Sequence, residues 1–128
     1  MQFGYTILYV DNVPQTLAFF EKAFGLKTRF LHEGGDYGEL ETGTTALAFA
    51  ARKFMASIGK NPQTPDAKSP VFEIALCTAD VASAVAQALK SGATLVQAPK
   101  EMPWGQTVAY VSDPDGFLIE VCTPMGNQ

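Results

Sequence analysis

The chain has 128 residues, 47% of them hydrophobic, which is the length of one domain with apolar content enough for a core. A formal net charge of -4 without any Lys/Arg cluster excludes a nucleic-acid or anionic-membrane surface and leaves small molecules or proteins as partners. No apolar run reaches the roughly 20 residues of a membrane helix, and Met1 to Tyr5 hold no basic region leading into a long apolar stretch, so the expectation is no membrane partner and a cytoplasmic location.

In chain order, Gly4 to Val10 reads as a strand with Tyr5, Ile7 and Tyr9 on one face and Thr6, Leu8 and Val10 on the other. A helix follows: Asp11, Asn12 and Pro14 provide the start, Leu17, Phe20, Ala23 and Phe24 recur at helical spacing, and Gly25 closes it. Strands are predicted over Lys27 to Glu33, Tyr37 to Thr42 and Thr44 to Lys53, separated by Gly34-Gly35 and Gly43. After a Pro-, Lys- and Ser-rich loop, Val71 to Cys77 reads as a strand and Asp80 to Ser91 as a helix stopped by Gly92. Ala93 to Gln97, Thr107 to Ser112 and Phe117 to Cys122 give three more strands, the last two joined by an Asp113-Pro114-Asp115-Gly116 turn.

The order of elements therefore repeats. Residues 1–56 form a first βαβββ module, 57–70 a linker loop and 71–124 a second βαβββ module, together one α+β domain over 1–128. Aligning the two opening strands pairs Tyr5 with Glu73, and the helix stops Gly25 and Gly92 fall at nearly the same offset.

Two glutamates fall inside apolar strands, Glu73 between Phe72 and Ile74, and Glu120 between Ile119 and Val121. Alternation turns Phe72, Ile74 and Leu76 to one face and Glu73, Ala75 and Cys77 to the other; the last strand separates Ile119 and Val121 from Glu120 and Cys122 in the same way. An ionised carboxylate in apolar surroundings needs a partner, a metal, a proton or water, so this pair is the foremost candidate site, with a simply solvated sheet face as the plainer reading. Cys77 and Cys122 have no CxxC spacing and read as reduced structural thiols.

The opening strand with Val10-Asp11-Asn12-Val13, the segment Phe19-Phe20-Glu21-Lys22-Ala23-Phe24-Gly25-Leu26, and the closing Ala109 to Glu120 resemble the vicinal oxygen chelate superfamily of glyoxalases, bleomycin resistance proteins and extradiol dioxygenases. The resemblance implies two βαβββ modules enclosing a half-barrel cavity, usually completed in a homodimer. It also implies four metal-ligand positions, which here fall on Tyr5, near Ala48, on Glu73 and on Glu120, where only Glu120 keeps the usual residue type. Tyr is a poor ligand at neutral pH and Ala is none, so no cofactor is expected, and Glu73 with Glu120 are the candidate ligands if a divalent ion is weakly held.

The inward face implied by this resemblance carries Tyr5, Ile7, Tyr9, Ala48, Arg52 and Tyr110 as ligand-binding candidates, with Trp104 on a loop as a lid or a packing residue. Arg52 reads equally as an exposed strand-end charge or an anchor for an anionic ligand, and the sole histidine, His32, as a surface or structural residue. Three functions follow. The first is metal-independent binding of an aromatic or cationic small molecule, as in bleomycin and antibiotic resistance. The second is a lyase, isomerase or dioxygenase-type enzyme with a degenerate site using Glu73 and Glu120 as catalytic groups. The third is a non-catalytic interaction protein.

Overall fold

The structure, a computed structural model, describes residues 1–125. Its elements run β1 (Tyr5–Val10), α1 (Val13–Phe24), β2 (Thr28–Leu31), β3 (Tyr37–Leu40), β4 (Ala46–Ala51), α2 (Arg52–Ser57), β5 (Ile74–Cys77), α3 (Val81–Lys90), β6 (Thr94–Glu101), β7 (Thr107–Ser112) and β8 (Leu118–Cys122). They divide into two compact units, Met1–Thr64 and Pro65–Gln128. Among the described residues no helix is long and apolar enough to cross a membrane.

Each unit holds a four-stranded mixed sheet, ordered β1-β4-β3-β2 in the first and β5-β8-β7-β6 in the second. In both, the opening strand pairs parallel with the last strand, and the other neighbours pair antiparallel. This α+β arrangement matches the predicted repeat of βαβββ.

The helices form where their caps dictate. Asn12 accepts a hydrogen bond from the Gln15 amide, and Gly25 closes α1 at φ 72, a left-handed conformation glycine adopts without steric penalty. Asp80 caps α3 by accepting from the Ser83 amide. Val13, Leu17 and Phe20 of α1 are buried, as are Leu8, Val10, Leu40 and Phe49 of the sheet, with the Phe20 and Phe49 rings 5.1 Å apart. Gly38 lets this helix approach closely, because a β-carbon there would meet Leu17 at 2.7 Å. In the second unit Val81, Val85 and Ala88 pack with Ala109, Val111, Ile119 and Val121. Each sheet thus buries one face under its helix and leaves the other open.

Three sequence expectations change. The strand predicted through Lys53 ends at Ala51, and residues 52–57 form the short helix α2, which buries no side chain. The strand predicted from Val71 begins only at Ile74, so Glu73 immediately precedes it. The strand predicted to stop at Gln97 continues to Glu101 through Pro99, which an edge strand tolerates because its outer N–H positions need no partner and the register shifts between Gln97 and Lys100.

Candidate functional site

On the open face of the second sheet, β8 places Glu120 between Ala75 of β5 and Tyr110 of β7. Glu73, at the entrance to β5, brings its carboxyl group into hydrogen bonding with that of Glu120. Neighbouring carboxyl groups oppose each other's ionisation, so the two titrate as a coupled pair. The hydrogen bond to Glu120, then burial, then repulsion raise Glu73 above the ordinary carboxylate range. For Glu120 burial acts upward, but hydrogen bonds from Glu73, Cys122 and Tyr110 outweigh it and hold the group below that range.

Tyr110 completes the cluster by donating its phenolic hydrogen to Glu120 Oε1 at 3.2 Å. Burial, together with the charges of Glu120 and Glu73, raises the Tyr110 phenol above its usual value, so it remains a donor. Cys122 lies beneath, and burial plus its contact with Glu120 push its thiol up to about 12. Cys77 is exposed on the neighbouring strand and both thiols are free.

The first sheet keeps Tyr5, Ile7 and Tyr9 on its open face, Tyr5 being 56% exposed and Ile7 39%. Their neighbours Ala46, Ala48 and Ala50 on β4 are buried and small. Tyr9 is already engaged: Lys60 Nζ donates to its phenolic oxygen at 2.8 Å and lies 5.3 Å from the ring centroid. Sequence reasoning missed the strongest polar group of this face. Glu39 accepts from the Tyr37 hydroxyl at 2.6 Å and from Arg29 Nη2 at 3.1 Å. Burial first, then the Glu39 hydrogen bond and charge, raise Tyr37 well above a normal phenol. The signal was in Tyr37-Gly38-Glu39-Leu40, where alternation turns Tyr37 and Glu39 to one face.

Arg52 is not on the inward strand face predicted for it. It begins α2, and its Nη1 donates to the Tyr9 carbonyl at 3.2 Å, so it ties the helix to β1. Trp104 is 61% exposed, its indole N–H donating to Gln106 Oε1 at 2.8 Å, while Gln106 in turn donates to the Thr123 carbonyl. His32 accepts from the Gly34 amide through Nδ1 at 3.3 Å, which steadies the turn between β2 and β3.

The strand registers fix the comparison of the four positions named by resemblance. Ala48 pairs with Ile7, two residues beyond Tyr5, just as Glu120 pairs with Ala75, two beyond Glu73. The side chains at these positions are therefore a phenol, a methyl group and two coupled carboxyls. A catalytic divalent ion wants about three good ligands with an open position, and these residues do not fit one. Among the described residues, no three His, Cys, Asp or Glu side chains gather as a metal-holding group.

The family model described as "Glyoxalase-like domain" matches residues 3–126. The chain belongs to this glyoxalase-like family. It lies within the glyoxalase, bleomycin resistance protein and dioxygenase superfamily, the vicinal oxygen chelate group. Among solved structures, the fold is similar to a glyoxalase-related enzyme from Fulvimarina pelagi at TM-score 0.83 and 18% identity, covering 99% of this chain and 94% of that one. A glyoxalase/bleomycin resistance protein/dioxygenase family enzyme from Burkholderia phytofirmans PsJN matches at 0.70 and 21%, covering 94% and 96%. A superfamily member from Sphaerobacter thermophilus matches at 0.73 and 21%, covering 97% and 98%. No curated protein matches the chain in a sequence comparison.

Proposed function

We propose that this glyoxalase-like protein binds a small aromatic or cationic molecule on the open face of its second sheet, without added metal. The reading is carried by the Glu73–Glu120 pair, which places at least one negative charge on a face its helix does not cover, beside the Tyr110 phenol. Tyr110 and the exposed Trp104 offer aromatic surface in the same unit. A planar cation gains roughly 1–3 kcal/mol from ring contacts and a partly desolvated ion pair.

Calorimetry in the presence of EDTA tests this, with proflavine as the planar cation and acridone as the neutral aromatic. Replacing both glutamates by glutamine is expected to weaken proflavine binding about tenfold, the 1.4 kcal/mol of one such contact, and to leave acridone unchanged. Equal losses for both probes would make the glutamates structural.

A second reading is favoured by the divergence of the two carboxyls. Glu73, raised, and Glu120, lowered, suit the acid and base roles of a proton-transfer enzyme, since groups whose environments push them apart divide those roles. Turnover appearing only with Fe2+, Ni2+, Zn2+ or Mn2+ would instead assign the site to metal chemistry.

The reading includes a homodimer, supported by exposed apolar residues such as Phe30, Val71, Phe72, Leu95 and Val96 that a second copy of the chain can cover. Light scattering at tens of micromolar decides it, a monomer being the contrary result. The two free thiols are in keeping with a reducing, cytoplasmic setting.

A further inference from the structure

We propose that Cys77 and Cys122 form an oxidative modification site, closing to an intramolecular disulfide when a hydroperoxide reaches the exposed thiol. The two residues are register partners on the parallel strands β5 and β8, and their sulfurs lie 4.0 Å apart. Neighbouring strands run about 4.8 Å apart, inside the Cα separation of roughly 4.4–6.8 Å that a disulfide spans. Bringing the sulfurs to about 2.05 Å needs a rotamer change, which the exposed Cys77 side chain is free to make. Cys122 is 2% exposed and cannot meet an oxidant first.

The order of events follows from this asymmetry. The Cys77 sulfur attacks the peroxide, the O–O bond breaks, an alcohol (water from hydrogen peroxide) departs, and Cys77 becomes a sulfenic acid. The Cys122 sulfur then attacks the Cys77 sulfur. The S–S bond forms, the S–O bond breaks, and the hydroxyl leaves as water. Two electrons pass from the thiols to the peroxide, and both thiol protons end in the alcohol and water. The Cys122 thiol donates to the Leu76 carbonyl at 3.8 Å, and its proton leaves with the departing hydroxyl as water. Oxidation removes the Cys122 thiol, one of the groups that lower Glu120; its effect on ligand binding rests on the function proposed above, whereas the disulfide itself does not.

The test uses the reduced full-length chain treated with hydrogen peroxide, followed by intact mass and by thiol titration after denaturation. The expected result is a loss of about 2 Da, the two thiol hydrogens, with titratable thiols falling from two per chain to none and returning with dithiothreitol. Cys122→Ala should stop at a Cys77 sulfenic acid that dimedone traps. Cys77→Ser should leave Cys122 titratable. Thiols that survive peroxide, or a disulfide formed only between chains, would overturn the proposal. Proflavine titration of both forms reads the coupling: a change in affinity on oxidation supports it and equal affinity refutes it. Failure of proflavine to bind either form would sink the ligand reading and leave the mass result standing.

Discussion

Ala48 of β4 and Glu39 of β3 lie opposite each other, reversing the second sheet, where the carboxylate is Glu120 on β8 and its neighbour on β7 is Tyr110. The first sheet thus carries its acid one strand over from the position the family resemblance names. Restoring a glutamate at Ala48 would bury a second charge beside Glu39, whose hydrogen bonds already come from Tyr37 and Arg29. Ala48 is fully buried, so Ala48→Glu is expected to lower stability by about 3–5 kcal/mol, the cost of an uncompensated buried charge. Urea unfolding checks this, and a loss under about 1 kcal/mol would contradict it.

Cation binding should strengthen with rising pH. Glu73 is raised, so above the ordinary carboxylate range it still holds a proton, and losing it adds a charge to the site. The same pair governs stability. The raised Glu73 contributes stability present below its unfolded pKa and lost as pH climbs through its folded value; the lowered Glu120 contributes stability present above its unfolded pKa and lost as pH falls through its folded value. Glu73→Gln should flatten the alkaline side of both profiles, measured by proflavine titration and by urea unfolding across pH. An unchanged binding profile in that variant would rule out the titration of Glu73 as the cause.

Asp113 gives a separate pH signature. Burial foremost, then the charge of Asp115, raises it from the ordinary 3.8 to about 7, against hydrogen bonds from backbone amides. Its Oδ1 accepts from the Phe117 amide, while Oδ2 has no hydrogen-bond partner among the described residues. A raised acid binds protons more tightly folded than unfolded, so stability should fall as pH rises from about 4 to 7, by about 2–4 kcal/mol. Asp113→Asn keeps the Oδ1 acceptor and should remove most of that slope. A slope unaltered in the variant would place its origin elsewhere.

Gly38→Ala should destabilise the first unit. The added methyl meets Leu17 Cδ1 at 2.7 Å, and both the Phe30 carbonyl and Val13 Cγ1 at 3.2 Å. Leu17 can turn away, but the carbonyl belongs to a paired strand and cannot. Overpacking of this kind costs about 1–3 kcal/mol. Thermal or urea unfolding reads it, and a neutral result would mean that α1 shifts off β3 freely.

The repeated module was legible because its signals are local. Asn12, Gly25 and Asp80 act within a few residues of the helix ends they cap, and Tyr5, Ile7 and Tyr9 alternate as a half-exposed strand must. Helix α2 left no such trace: Ala51 offers no side-chain cap, no residue in it is buried, and Ala46 to Lys53 reads equally well as one strand. Arg52 was misplaced for that reason. The approach of Glu73 to Glu120 was foreseeable from face alternation, yet its detail depends on the parallel register of β5 with β8, which pairs residues over forty positions apart in the chain. Glu39 escaped because its partner Arg29 comes from another strand and the pairing there is shifted by a bulge.

Pro99 gives the second sheet an inert border. It lies on the outermost strand β6, beside Lys100 and within the register shift between Gln97 and Lys100, where it can donate no amide to a neighbour and a flat run of free groups never develops. An extended segment arriving from another chain finds no template there. Growth of that sheet by added strands, whether useful or pathological, is thereby channelled to the opposite border at β5, and aggregation through β6 is barred by a single ring.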